Sequence, residues 1–320
     1  MNKLILKLLI DANGEFVSGQ KISDELGITR AAIWKRMNKL KEMGFEIESV
    51  TKKGYKLVSY PDFMNNDLIE TGIDLKKIGS KVITMETVES TNDFAKQIAR
   101  DEQDGTIVIS EEQTRGKGRR GRFFYSGSKE GIYISFILKP QIEPSKASFL
   151  TSIAAAALAK TLDELNVEVG IKWPNDVLID GKKICGILTE MSADVESVEY
   201  IILGMGINIK GESFPKEIKD IATSLKIQGY NIGRLELLWR FLPIFEELYL
   251  SFVDGDKSEI LKILKEYSCI LGKEIYIHYQ DKVEKGKAID ITKDGTLLVE
   301  FENKEVKELN SGEISIRWES

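Results

Sequence analysis

Histidine is nearly absent from this 320-residue chain: there is one, His278. A histidine-rich metal site is excluded, and neither Ser-His nor Cys-His catalysis is expected. His278 alternates with Ile275, Ile277 and Tyr279, so it is expected on the exposed face of a strand. Cysteine is scarce too. Cys185 and Cys269 lie far apart with no CxxC spacing, which predicts free thiols in a reducing cytoplasm and no disulfide framework. Six prolines leave little room for long disordered linkers. No hydrophobic run reaches the length of a membrane span; the alanine-rich stretch 153–159 stops short, so no membrane partner is expected. Residues 1–10 are apolar but interrupted by Lys3 and Lys7 and lack a small-residue cleavage site. They read as an amphipathic helix, with Leu4, Ile5, Leu8 and Leu9 on one stripe, and not as a signal peptide. Any chemistry must therefore rest on Lys, Arg, Asp, Asn and backbone groups.

What is present is ordinary globular composition, 42% hydrophobic and 30% charged, enough for two or three domains. The net charge of −6 is uneven. Residues 1–60 carry 11 Lys+Arg against 7 Asp+Glu, a net of +4, which leaves −10 on the remainder. A basic small domain on an acidic body suggests that only the first domain meets a polyanion.

In that first domain, Ser18 can cap a short helix that Gly27 ends, and Thr29 can cap a second helix that Gly44 stops. Ile33, Met37 and Leu40 are spaced to face inward. Two short helices joined by a tight glycine turn are the helix-turn-helix arrangement, whose second helix enters the major groove. Residues 46–50 and 55–58 then alternate like strands around a basic tip, Thr51-Lys52-Lys53-Gly54, which predicts a wing. Ser18, Gln20, Thr29, Arg30, Ala31, Trp34, Lys35, Arg36, Lys39, Lys52 and Lys53 are the expected DNA contacts. A three-helix domain that merely docks another protein is the rival reading.

Pro61 to Asn66 breaks the pattern and reads as a linker. Beyond it strands follow one another without regular intervening helices, which predicts an α+β domain with a mixed sheet. Its sharpest feature is Arg115-Gly116-Lys117-Gly118-Arg119-Arg120-Gly121-Arg122. Three glycines allow close backbone approach, and five cations in eight residues make a strong anion site. Such a segment is expected to be a mobile loop that orders over a phosphorylated ligand; a solvated or RNA-binding loop is equally compatible with the motif alone. In Lys172-Trp173-Pro174-Asn175-Asp176, proline breaks a strand after an aromatic residue. An amide and a carboxylate then stand at the strand end, able to serve hydroxyl groups, Mg²⁺ or bases, or simply to close a β-turn. Lys183 with Gly186, and Gly204-Met205-Gly206-Ile207-Asn208, complete the set. The last is no dinucleotide fingerprint, since the GxGxxG spacing is missing.

Together with Glu89-Ser90-Thr91-Asn92 and Gln113-Thr114, these segments occur in the order and spacing of biotin protein ligases. Ile28 to Lys35 and Gly54 to Leu57 look like the DNA-binding domain of biotin-operon repressors. The resemblance runs from Met1 to Arg317 and is to the bifunctional, BirA-type branch. It implies a winged helix-turn-helix over 1–61, a class II synthetase-like catalytic domain over 66–269 and an SH3-like β-barrel over 270–320. It also implies two reactions in one site. The biotin carboxylate attacks the α-phosphorus of ATP to give biotinyl-adenylate and pyrophosphate, and a lysine of biotin carboxyl carrier protein then takes the biotinyl group, releasing AMP. Carboxylate and triphosphate repel one another, which suits a site rich in cations and Mg²⁺.

By the same resemblance, Lys183, Arg119 and Asp176 are catalytic. Ser90, Thr91, Asn92, Gln113, Gly116, Lys117, Gly118, Arg119, Lys183, Gly186 and Leu188 bind biotin. Arg119, Arg120, Arg122, Phe124, Lys172, Asn175, Gly204, Gly206, Asn208 and Arg317 bind ATP, with Asn175 and Asp176 toward Mg²⁺. Operator DNA, a homodimer holding biotinyl-adenylate and a cytoplasmic location are further implications. Lys117 stands where the family more often has Arg, and Phe124 where it often has Trp. Two rivals share parts of the pattern: a biotin-sensing repressor that catalyses nothing, and a lipoate-type acyl ligase. An intact cationic loop with Lys183, Asn175 and Asp176 argues against the first, and the attached winged domain against the second.

Overall fold

Local capping chemistry sets the first domain. The computed structural model describes residues 2–72, 75–194, 197–278, 282–310 and 313–315. Helix α1 (Asn2–Asp11) buries Ile5, Leu6 and Leu9 and leaves Leu4 exposed, so the inward stripe is rotated from the one that spacing suggested. Ser18 accepts a hydrogen bond from Lys21 N and caps α2 (Gly19–Leu26); Gly27, at φ 63°, ends it. Thr29 accepts from Ala32 N and caps α3 (Arg30–Glu42), which buries Ile33, Met37 and Leu40. Strands β1 (Glu46–Val50) and β2 (Gly54–Ser59) pair antiparallel as the wing. Gly54 is required there: a Cβ on it would lie 2.0 Å from Val17 O.

The linker is not a free tether. Pro61 and Met64 are buried. Arg234, 1% exposed, donates to both Glu111 and Asp62, and Glu111 also accepts from Met64 N at 2.7 Å. Asp62 takes a second cation, Lys210, at 2.6 Å. Burial alone would raise the Asp62 carboxyl; its hydrogen bonds to Lys210 and Arg234 outweigh that and hold it below its usual range. Trp239 stacks on Phe45 (centroids 5.8 Å) and meets the edge of Tyr60 at 5.7 Å, so the first domain docks directly on the second.

Helix α4 (Asn66–Gly72) leads into a seven-stranded mixed sheet. Its strands are β3 (Val82–Val88), β4 (Thr106–Gln113), β5 (Gly131–Leu138), β6 (Gly170–Lys172), β7 (Asp176–Ile179), β8 (Lys182–Ala193) and β9 (Val198–Asn208). The order is β3-β4-β5-β9-β8-β7-β6, and only β3 and β4 run parallel, joined across α5 (Thr91–Ile98). The alanine-rich stretch lies in α6 (Phe149–Glu164), which is buried for most of its length between the sheet and two further helices, α7 (Arg234–Val253) and α8 (Ser258–Glu266). No helix among the described residues is long and apolar enough to cross a membrane.

The C-terminal residues form an antiparallel sheet of β10 (Glu274–His278), β11 (Val283–Ile291), β12 (Leu297–Phe301), β13 (Val306–Leu309) and β14 (Glu313–Ser315), in the order β13-β12-β11-β10-β14. His278 is half-buried at the end of β10. Both cysteines are free; burial pushes the Cys185 thiol well up and the Cys269 thiol up to about 11.

Candidate active site

Two cavities meet over the C-terminal half of β9. The smaller, about 40 Å³, is lined by Ser90, Thr91, Asn92, Gln113, Lys117, Gly118, Arg119, Phe124, Asn175, Lys183, Gly186, Ile187, Leu188, Gly204, Met205 and Gly206. Its polar end is a closed network. Gln113 Oε1 accepts from Thr91 N (2.9 Å) and Thr91 Oγ1 (3.1 Å), while Gln113 Nε2 donates to Ser126 Oγ (2.9 Å). Ser135 Oγ lies 2.6 Å from Asn92 Oδ1, and Asn92 Nδ2 donates to Glu190 at 2.8 Å. Ser90, at the N-cap of α5, orients this turn by accepting from Asp93 N. The hydroxyl and amide groups of this end suit a small polar, uncharged ring, because an unmatched group there would cost its full desolvation, while Lys117, Arg119 and Lys183 border the recess with positive charge.

The larger cavity, about 260 Å³, is lined by Arg119, Arg120, Arg122, Phe124, Lys172, Asn175, Asp176, Lys183 and Asn208. Tyr125, Phe214, Ile218, Ile221 and Ala222 form its apolar side and escaped the sequence reading. The available signal was Phe214, Ile218 and Ile221 at i, i+4 and i+7, the spacing of one helix face; the segment forms turns, and the spacing does not say which cavity that face borders.

Between the cavities sits a chain of charge. Lys183 Nζ is 2.5 Å from Asp176 Oδ1, Asn175 Nδ2 donates to Asp176 at 3.2 Å and to Ile187 O at 3.1 Å, and Arg119 donates to Asn175 Oδ1 at 2.7 Å. Asn175 and Asp176 are placed by the tight hairpin of β6 and β7, in which Lys172 pairs with Asp176. The register Asp176↔Gly186 and Gly186↔Gly206 carries the hairpin across to β9.

The cationic loop has its own framework. Phe124 N donates to Gly116 O, Gly118 N to Arg122 O, and residues 119–121 make a short 3₁₀ turn. Two of its cations have carboxylate partners: Lys117 lies 2.7 Å from Asp93, and Arg115 3.6 Å from Glu89. Gly116 is obligatory, since a Cβ would sit 2.4 Å from Phe124 O. Gly204 and Gly206 line the smaller cavity and Asn208, on the same face of β9, the larger one. A Cβ on Gly204 would be 2.0 Å from Asn92 Oδ1, and one on Gly206 2.2 Å from the Phe124 ring. Phe124 thus lies over both Gly186 and Gly206 and borders both cavities. Arg317 lies outside the described residues.

On the first domain, Arg30, Ala31, Trp34, Lys35 and Lys39 are exposed along α3, Trp34 at 62%, and Arg36 is half-buried. Gln20 is bonded to Arg30 at 2.9 Å, which ties the two helices at this face. Lys52 and Lys53 are exposed at the wing tip, while Ser18 and Thr29 are spent as caps. The exposed side of α3 thus carries Arg30, Lys35 and Lys39, and the wing tip Lys52 and Lys53.

A recess with a neutral polar end and a cationic cavity that share one lysine, attached to a winged helix-turn-helix, define an acyl-adenylating ligase joined to a DNA-binding module. Residues 84–208 match the Biotin/lipoate A/B protein ligase family, 2–56 an HTH domain, and 270–317 the Biotin protein ligase C terminal domain. The chain is 36% identical to the Bifunctional ligase/repressor BirA of Bacillus subtilis (strain 168), over 99% of this chain and 98% of that one. It is 28% identical to the protein of the same name from Escherichia coli (strain K12), again over 99% and 98%. The solved biotin protein ligase from Aquifex aeolicus in complex with biotin and ATP superposes with a TM-score of 0.64 at 29% identity, covering 74% of this chain and 99% of that one. The chain belongs to the family of bifunctional biotin ligase/repressors.

Proposed function

We propose that this protein is a cytoplasmic biotin–[biotin carboxyl carrier protein] ligase that also represses transcription, with the two cavities serving the two halves of adenylation. The carrying observation is the Lys183–Asp176–Asn175–Arg119 chain between them. The neutral end of the recess, Ser90, Thr91, Asn92 and Gln113, receives the ureido ring, against the flat wall of Gly186, Leu188, Gly204 and Gly206. Lys183 holds the biotin carboxylate beside the α-phosphate; Arg119, Arg120, Arg122 and Lys172 balance the phosphate charge. Phe124 and the Phe214–Ile221 side offer stacking and apolar cover for adenine, with Asn208 beside them.

The donor set fits Mg²⁺ only as carried by ATP. Asp176 is one carboxylate, already engaged by Lys183 and Asn175, and no cluster of three acidic, His or Cys ligands exists among the described residues. Most of the ion's ligands would be phosphate oxygens and water, with Asp176 and Asn175 at one edge, and the ion would supply charge neutralisation. Burial beneath the cationic loop keeps water from the mixed anhydride until an acceptor lysine arrives. A homodimer formed around biotinyl-adenylate would present two recognition helices to a two-fold operator, coupling enzyme and repressor. The domain boundaries that serve this division are 1–61, 66–269 and 270–320. Incubating the protein with ATP, biotin and an isolated carrier domain should give a streptavidin-reactive product that depends on both small molecules. No product, with the carrier's acceptor lysine intact, would refute the ligase reading.

A further inference from the structure

We propose that Gly295, in a turn of the C-terminal sheet, is a positioning residue for adenylation. Its carbonyl, through Trp173, holds the Asn175–Asp176 corner over the nucleotide cavity. Trp173 is 6% exposed and donates from Nε1 to Gly295 O at 2.9 Å. It lies in the three-residue connection between Lys172 and Asp176, so its ring is the anchor of the corner that presents the amide and carboxylate. That corner needs an anchor. β6 is only three residues long and sits at the sheet edge. Its outer side is held by Ile171 N donating to Tyr267 O (2.7 Å) and Cys269 N donating to Ile171 O (3.0 Å), immediately before the C-terminal sheet begins.

The turn that receives Trp173 is itself fixed. Gly295 has φ +78° and donates to Thr292 O, and Thr292 N donates to Thr296 O, both at 2.9 Å. Asp294 pairs with Lys257 at 3.1 Å, and that ammonium lies 4.8 Å over the Phe149 ring. A Cβ on Gly295 would stand 2.6 Å from Phe149 Cδ2, so the turn fits this surface only as glycine. The Asp294-Gly295 pair is a turn signal that a plain hairpin would also satisfy. The buried indole bond gives it a second task. Gly295 touches no reacting atom and acts only through Trp173.

The inference rests on reading the 260 Å³ cavity as the nucleotide site. Its test uses the full-length protein and three measurements: ATP KM and kcat by pyrophosphate exchange, biotin affinity by calorimetry without nucleotide, and thermal melting. Trp173→Phe keeps an aromatic ring at this place but removes the pyrrole half with its donor; Gly295→Ala disturbs the acceptor from the other side. Each should raise ATP KM or lower kcat at least about 10-fold, as expected for a buried carbonyl left unmatched beside the site, with a clearly smaller loss of biotin affinity, since Asn175 also borders the biotin recess. Lys304→Ala, on an exposed loop of the same sheet, should change neither. Normal ATP kinetics in Trp173→Phe overturns the proposal. So does a lower melting temperature with ATP and biotin affinities weakened by the same factor, the mark of a mere fastener between domains. Asn175→Ala, run in parallel, separates the two levels: if it leaves ATP kinetics unchanged, the nucleotide reading is wrong and the role of Gly295 falls with it.

Discussion

Replacing Gly204 by alanine should weaken biotin binding without unfolding the protein. The added methyl would stand 2.0 Å from Asn92 Oδ1 and 2.7 Å from its Cγ. Asn92 has little freedom to yield. It is 4% exposed, lies 2.6 Å from Ser135 Oγ, and donates to Glu190 at 2.8 Å and to Leu188 O at 3.4 Å. Moving it breaks those bonds and pushes the amide into a cavity of only about 40 Å³. Overpacking of this kind costs about 1–3 kcal/mol. At about 1.4 kcal/mol per decade that is a biotin affinity about 5- to 150-fold weaker. The β9 backbone ladder to β5 and β8 needs no side chain at this position, so circular dichroism should be unchanged. Isothermal titration with biotin reads the effect directly. Affinity within twofold of the parent, with Asn92 unmoved, would refute the placement of Gly204 in the biotin recess.

Lys183→Ala should cut adenylation by at least about 10²-fold, the scale of removing one preorganised electrostatic stabiliser, and near-normal pyrophosphate exchange would remove Lys183 from its role. Glu111→Ala leaves the 1%-exposed Arg234 short of its main counter-charge and should destabilise the protein by about 3–5 kcal/mol; a denaturant midpoint close to the parent's would show that Asp62 alone suffices. In gel shifts, operator affinity should rise when biotin and ATP are both present, and binding indifferent to them would disprove the coupling. Arg30→Ala and Lys35→Ala should each lower the slope of log affinity against log salt by about one, and unaltered slopes would place DNA elsewhere.

Short-range chemistry was readable before any coordinates. Ser18 and Thr29 cap because a hydroxyl three residues ahead of an orphan N–H is a local arrangement, and Gly27 is needed for a local φ. The mixed sheet followed from strands succeeding one another without helices. What was not readable depends on pairing between distant segments. Gly204 and Gly206 face Asn92 and Phe124 because β9 runs antiparallel beside both β5 and β8, and nothing in residues 198–208 names those neighbours. The burial of Arg234 is set by Glu111, 123 positions away. The Leu4 stripe failed for a simpler reason: in a helix that is apolar on most sides, spacing alone does not choose the face. The ion pairs of the cationic loop with Asp93 and Glu89 likewise depend on partners 24 and 26 positions away.

The central claim is that biotin and ATP meet across Lys183 in a single site. Exchange of labelled pyrophosphate into ATP measures that meeting without any acceptor protein. The account predicts exchange that requires biotin, is not supported by lipoate, and is lost in Lys183→Ala. Exchange supported equally by lipoate, or no exchange with biotin, would contradict it.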